Sequence, residues 1–116
     1  MIVFMSYQSV NPATGKVLKK FKEITNKQLE TSLKTAATCF DTWQFKTFAE
    51  RAVIVAKAAA ILRARVNDFA KPMTLEMGKL IAESRGEVEL SADILDYYAK
   101  NAESFLAPQT LKPSSG

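Results

Sequence analysis

A mostly α-helical chain opened by a short β-hairpin is the fold class this sequence predicts, and three observations predict it. The first 24 residues hold a β-prone stretch split by a turn. Apolar residues then recur every three or four positions through residue 106, and a Pro- and Ser-containing tail follows. With 116 residues, 47% hydrophobic and 24% charged, the balance is that of one ordinary globular domain. Folding such a chain buries roughly 60–70% of its unfolded surface. Separate cofactor and substrate domains are excluded, because one doubly wound cofactor domain would use the whole length.

In the hairpin, residues 3–10 and 16–24 flank Asn11-Pro12-Ala13-Thr14-Gly15, with Asn to open a turn, Pro to preset φ and Gly to take a positive φ. Apolar and polar side chains mix on both faces, which suits an exposed ribbon that must lean on other elements. A first helix is expected over 26–44, where Thr25 and Gln28 form a capping box. Leu29, Leu33, Ala36, Ala37, Phe40 and Trp43 make its stripe, Trp43 reading as a core anchor.

Thr47 with Glu50 is a second capping box, ahead of a run whose buried face is Ala52, Val55, Ala56, Ala59, Leu62, Val66 and Phe69. Pro72 breaks the hydrogen-bond ladder, and Asn67-Asp68 offers a new N-cap. A bend is therefore expected near Asn67-Pro72, with helix continuing to Met77 and Gly78 as the stop. The third long helix covers 80–106, and Gly86 within it points to tight packing against a neighbour. Pro108 ends it, and 109–116 reads as an extended connector. The organisation is thus hairpin 1–24, helical segment 25–107 and connector 108–116.

Sixteen basic residues face twelve acidic ones, a net charge of +4. Residues 1–65 carry eleven cations against Glu23, Glu30, Asp41 and Glu50, whereas 66–116 carry five against eight acids. Two complementary faces explain this better than nucleic-acid binding, since only four cations are Arg and no aromatic residues interleave with them. The start lacks a basic flank and a cleavage site, and no run approaches the roughly 20 apolar residues of a membrane span. Neither nucleic acid nor membrane is expected as a partner, and the cytoplasm is the expected location.

The chain has one cysteine and no histidine, which removes ordinary zinc sites and Ser-His-Asp or Cys-His catalysis. Cys39 reads as a small core residue on its helix rather than a nucleophile. The 80–106 helix carries Glu83, Glu87, Glu89, Asp93, Asp96 and Glu103, and the i, i+4 pairs Glu83/Glu87 and Glu89/Asp93 could serve a hard cation or acid–base work. A solvated acidic face is the simpler reading. Lys79 after Gly78 lacks the rest of a phosphate loop, and no G-x-G-x-x-G is present. Residue chemistry alone leaves a helical domain without an active site.

The order of short motifs adds more. Asn11-Pro12-Ala13-Thr14-Gly15 is followed by Phe40-x-x-Trp43, Glu50-Arg51, Thr74-Leu75-Glu76-Met77-Gly78-Lys79, Gly86-Glu87-Val88 and Tyr97-Tyr98-Ala99. The set, across residues 7–108, resembles the N-terminal part of the α/β aldehyde dehydrogenase superfamily, closest to its succinate-semialdehyde dehydrogenase group. The resemblance implies oxidation of an aldehyde to an acid with NAD or NADP, through a cysteine thiolate, an oxyanion-holding Asn and a Glu-activated water. It transfers no catalytic, cofactor-binding or metal residue to this chain, because the motifs that carry them lie beyond the matched segment, and Cys39 is not that nucleophile. It implies that these helices pack on the cofactor domain, that 111–116 leads toward strands that build oligomers, and that the chain alone is inactive and binds no cofactor. A homo-oligomer or the remainder of the enzyme is the expected partner. The alternative is an independent helical interaction module without activity.

Overall fold

The computed structural model describes residues 7–111; expectations for residues 3–6 and 112–116 lie outside the described residues. Strands β1 (Gln8–Val10) and β2 (Val17–Lys20) pair antiparallel, Gln8 opposite Lys20 and Val10 opposite Val17, with an irregularity between Ser9 and Val10. Among the described residues the second strand is shorter than the expected 16–24, and the sheet has two strands. Its turn works as the residues dictate: the Asn11 Oδ1 accepts from the Ala13 N–H at 2.9 Å, the Gly15 N–H donates to the Asn11 carbonyl at 2.8 Å, and Gly15 takes φ 65°.

Four helices follow among the described residues, which correspond to the three expected once the bent one is divided. Helix α1 (Asn26–Trp43) starts at Thr25, whose hydroxyl accepts from the Gln28 N–H while the Gln28 side chain accepts from the Thr25 N–H. Helix α2 (Phe48–Ala64) starts identically at Thr47 with Glu50. Both capping boxes stand as predicted.

The break between the second and third helices falls at Arg65 (φ −125°, ψ 31°) rather than near Asn67. Arg65 Nε donates to Asp68 at 2.9 Å, and the Asn67 side chain accepts from Arg85 of the last helix. Neither candidate cap is therefore free to cap, and α3 (Val66–Met77) begins without a side-chain cap. Pro72 is carried inside α3, where its missing N–H removes the bond to the Asp68 carbonyl without ending the helix. Gly78, at φ 71°, stops α3 as expected, its N–H donating to the Thr74 carbonyl. Helix α4 (Ile81–Phe105) is the last element among the described residues.

Helix α4 packs along both α2 and α3. The fully buried residues are small: Ala59 of α2, Ala70 of α3, and Ser84 and Ala92 of α4, with Val88 nearly so. Small side chains let the helix axes approach closely. The expected α2 face is only partly buried, since Ala56 and Phe69 remain exposed.

Helix α1 packs on no other element, and apart from half-buried Trp43 its residues are exposed. The stripe Leu29, Leu33 and Phe40 is 44–57% exposed, and Cys39 is exposed too, so the expected burial of this face does not occur within the chain. Gly86 likewise corrects its expectation: a Cβ there would meet nothing within 4 Å. The accessible surface is 10089 Å², against about 6,300 Å² for a compact monomer of 12.8 kDa. The radius of gyration is 20.9 Å, against about 13 Å for a compact chain of this length.

Candidate functional site

The acidic face of α4 is divided among partners rather than gathered into one site. Arg63 of α2 donates to Asp93 at 2.7 Å and to Asp96 at 2.5 Å, which splits the Glu89/Asp93 pair. The hydrogen bonds that it donates to Asp93, then to Asp96, raise the pKa of the Arg63 guanidinium above its ordinary value. Lys79 reaches Glu87, which splits Glu83/Glu87 and leaves that ammonium no phosphate role. Of the expected complement between a basic first half and an acidic second half, the described residues show Arg63 on α2 against Asp93 and Asp96 of α4. Among the described residues no group of three or more His, Cys, Asp or Glu could hold a metal ion.

Among the described residues the helix starts offer little to a phosphate group. Phosphate is held by free N–H groups at a helix start. The starts of α1 and α2 are closed by their own capping side chains, and the first turns of α3 and α4 carry Asp68 and Glu83.

What the structure does build is a groove between the start of α2 and the end of α4. It is about 270 Å³ and is lined by Phe48, Ala52, Val55, Tyr98, Ala102 and Leu106, with Arg51 in its wall. The Arg51 guanidinium lies 4.8 Å from the centre of the Phe48 ring. On α4, Tyr97, Tyr98 and Phe105 form an aromatic cluster with ring centres 5.4–6.5 Å apart. Sequence reasoning cited Arg51 only as part of a motif. The signal was available: 51, 55 and 59 step by four along the face that ends at buried Ala59.

Helix α4 has a second apolar face. Leu90, Ile94 and Tyr97 are 47–58% exposed and, with Gly86, lie opposite the face that holds Val88, Ala92 and Leu95. An exposed apolar face of this kind suits a second packing partner. Two motifs that carried the resemblance also meet: Pro12 of the hairpin turn lies against Gly78, its Cγ 3.1 Å from where a Cβ would stand.

Uncovered apolar faces on α1 and α4 and a hairpin seated on a helix end mark a class of chain built to pack against further protein. The chain belongs to the aldehyde dehydrogenase family, whose profile matches residues 5–116. The succinate-semialdehyde dehydrogenase [NADP(+)] of Deinococcus radiodurans is 36% identical over 110 residues, covering 95% of this chain and 23% of that protein. Among solved structures, the Streptococcus pyogenes succinic semialdehyde dehydrogenase in complex with NADP+ superposes with a TM-score of 0.87 at 38% identity. A structure concerned with cofactor and substrate selection by Gox0499 gives 0.89 at 37%. Each covers 96% of this chain, which spans 25% of the matched chain. No described helix is long and apolar enough to cross a membrane.

Proposed function

We propose that this chain is the N-terminal scaffold of a cytoplasmic, oligomeric, NADP-using aldehyde dehydrogenase acting on succinic semialdehyde, and that it has no turnover by itself. The observation that carries this reading is the near-complete superposition at TM-score 0.89 of a chain whose α1 packs on no other described helix or strand. In this reading 1–24 and 25–107 pack on the cofactor domain, and 108–116 connects onward. The chain supplies no catalytic, cofactor-binding or metal residue; its part is to fill and rigidify the outside of the cofactor domain. NADP is favoured over NAD by the names of the relatives.

The test is a chimera in which this chain replaces the matched 110 residues of the Deinococcus radiodurans enzyme. The chimera is expected to assemble and to reduce NADP+ with succinic semialdehyde, while the chain alone reduces neither NAD+ nor NADP+. A chimera that fails to assemble, or turnover by the isolated chain, would overturn the reading.

A further inference from the structure

Of the four arginines, the one most withdrawn from solvent is the one without a polar partner. Arg63 donates to Asp93 and Asp96, Arg65 to Asp68 and Arg85 to Asn67, and all three are exposed. Arg51 is half-buried with its Nε covered and unpaired, and its guanidinium has no acceptor among the described residues. A covered polar group is costly unless it is paired, and among the described residues only the Phe48 ring lies against the Arg51 guanidinium.

The covered Nε leaves the two terminal nitrogens as the available donors, and together they make the fork that matches a carboxylate. The groove beside them is apolar along Val55, Ala102 and Leu106, and its rim carries Lys100 and Glu103. Arg51 and Lys100 against Glu103 leave one positive charge in excess, so the complementary occupant is an anion beside an apolar side chain.

We propose that this groove seats a carboxylate-bearing segment of the polypeptide that completes the aldehyde dehydrogenase fold, with the carboxylate held bidentate by Arg51. Charge and extent both select that occupant. The chain makes up 23–25% of its relatives, so about three quarters of each lies outside the matched part and is available to cover it. The proposal rests on the reading of the chain as part of such an enzyme.

The experiment compares Arg51→Met and Arg51→Lys in the chimera and in the isolated chain. In the chimera Arg51→Met shortens the half-life of thermal inactivation roughly tenfold, the loss that follows removal of one partner of a charged hydrogen-bonded pair. KM for succinic semialdehyde and NADP+ stays unchanged. In the isolated chain, where the carboxylate of the completing segment is missing and Arg51 makes no hydrogen bond to Glu103, the same change leaves the urea midpoint unchanged or raises it. Arg51→Lys keeps the charge without the fork and recovers only part of the chimera's half-life.

A chimera as long-lived with Met or Lys as with Arg, or an equal loss in the isolated chain, overturns the proposal and leaves the scaffold reading intact. A chimera with native Arg51 that does not assemble removes both. Should the Met variant fail to fold, the Lys variant decides alone.

Discussion

Thr74 of α3 and Ser84 of α4 share a hydrogen bond of 2.9 Å between their hydroxyl oxygens, and Ser84 is fully buried among the alanines that join the helices. A buried hydroxyl deprived of its partner loses its hydration without compensation. Thr74→Val is therefore expected to destabilise the chain by about 1–3 kcal/mol. The double variant Thr74→Val/Ser84→Ala should cost clearly less than the sum of the single changes, because it removes both polar atoms together. Urea unfolding of the four proteins measures this, and strictly additive losses would show that the bond contributes no coupling.

Gly78 and Gly15 separate two components of a glycine's role. Both have positive φ, yet a Cβ at Gly15 meets nothing within 4 Å, whereas one at Gly78 lies 3.1 Å from Pro12 Cγ. Gly15→Ala should cost about 1–2 kcal/mol, the left-handed penalty alone. Gly78→Ala should cost more and also loosen the hairpin from α3, visible as faster amide exchange in β1 and β2. Equal losses at the two positions would mean that the Pro12 contact carries no constraint.

The elements legible in the sequence were those set within a few residues. Thr25 with Gln28, Thr47 with Glu50, and Gly78 each satisfy or end a helix locally, and each stands where the pattern placed it. The helix break was misplaced by two residues because Asn67 is recruited by Arg85, eighteen positions away on another helix, and such a partner leaves no local mark. The stripe of α1 and Gly86 of α4 show a subtler limit. Periodicity reports that a face wants a partner and is silent on whether that partner lies in the same chain. Burial was therefore overestimated at Leu29, Leu33, Phe40 and Cys39. Arg51 was the reverse case, a cation whose spacing already placed it on the contact face of α2.

Acid should loosen the start of α2 through Glu50. Its carboxylate lies below the ordinary value of 4.5 because it accepts from the Thr47 N–H, then from the Thr47 hydroxyl, with Lys46 adding attraction. A carboxylate whose folded pKa is depressed contributes stability above its unfolded pKa and loses it as pH falls through the folded one. The urea midpoint should therefore decline below about pH 4.5, and Glu50→Gln should flatten the part of that decline due to this group. Glu50→Gln leaving the profile between pH 6 and pH 3 unaltered would remove Glu50 from the acid response.

Helix α1 sets the behaviour of the isolated chain. It has 18 residues, a good N-terminal cap and no packing against another described helix or strand. Isolated helices of about that length are marginal in water, since nucleation is costly and most helical stability comes from packing an apolar face. At high dilution the amides of α1 should exchange far faster than those of α4, which is held by α2 and α3. At tens of micromolar the uncovered stripe Leu29, Leu33 and Phe40 and the outer face Leu90, Ile94 and Tyr97 should drive self-association, because large exposed apolar patches rarely remain unpaired. Leu33→Lys with Phe40→Glu should restore the monomer without altering exchange in α4, because those side chains lie outside the contact between α2, α3 and α4. Sedimentation velocity across concentration, paired with exchange mass spectrometry, reads both effects. A monodisperse parent at tens of micromolar with protected α1 amides would mean that the helix is stable without the cover its sequence pattern calls for.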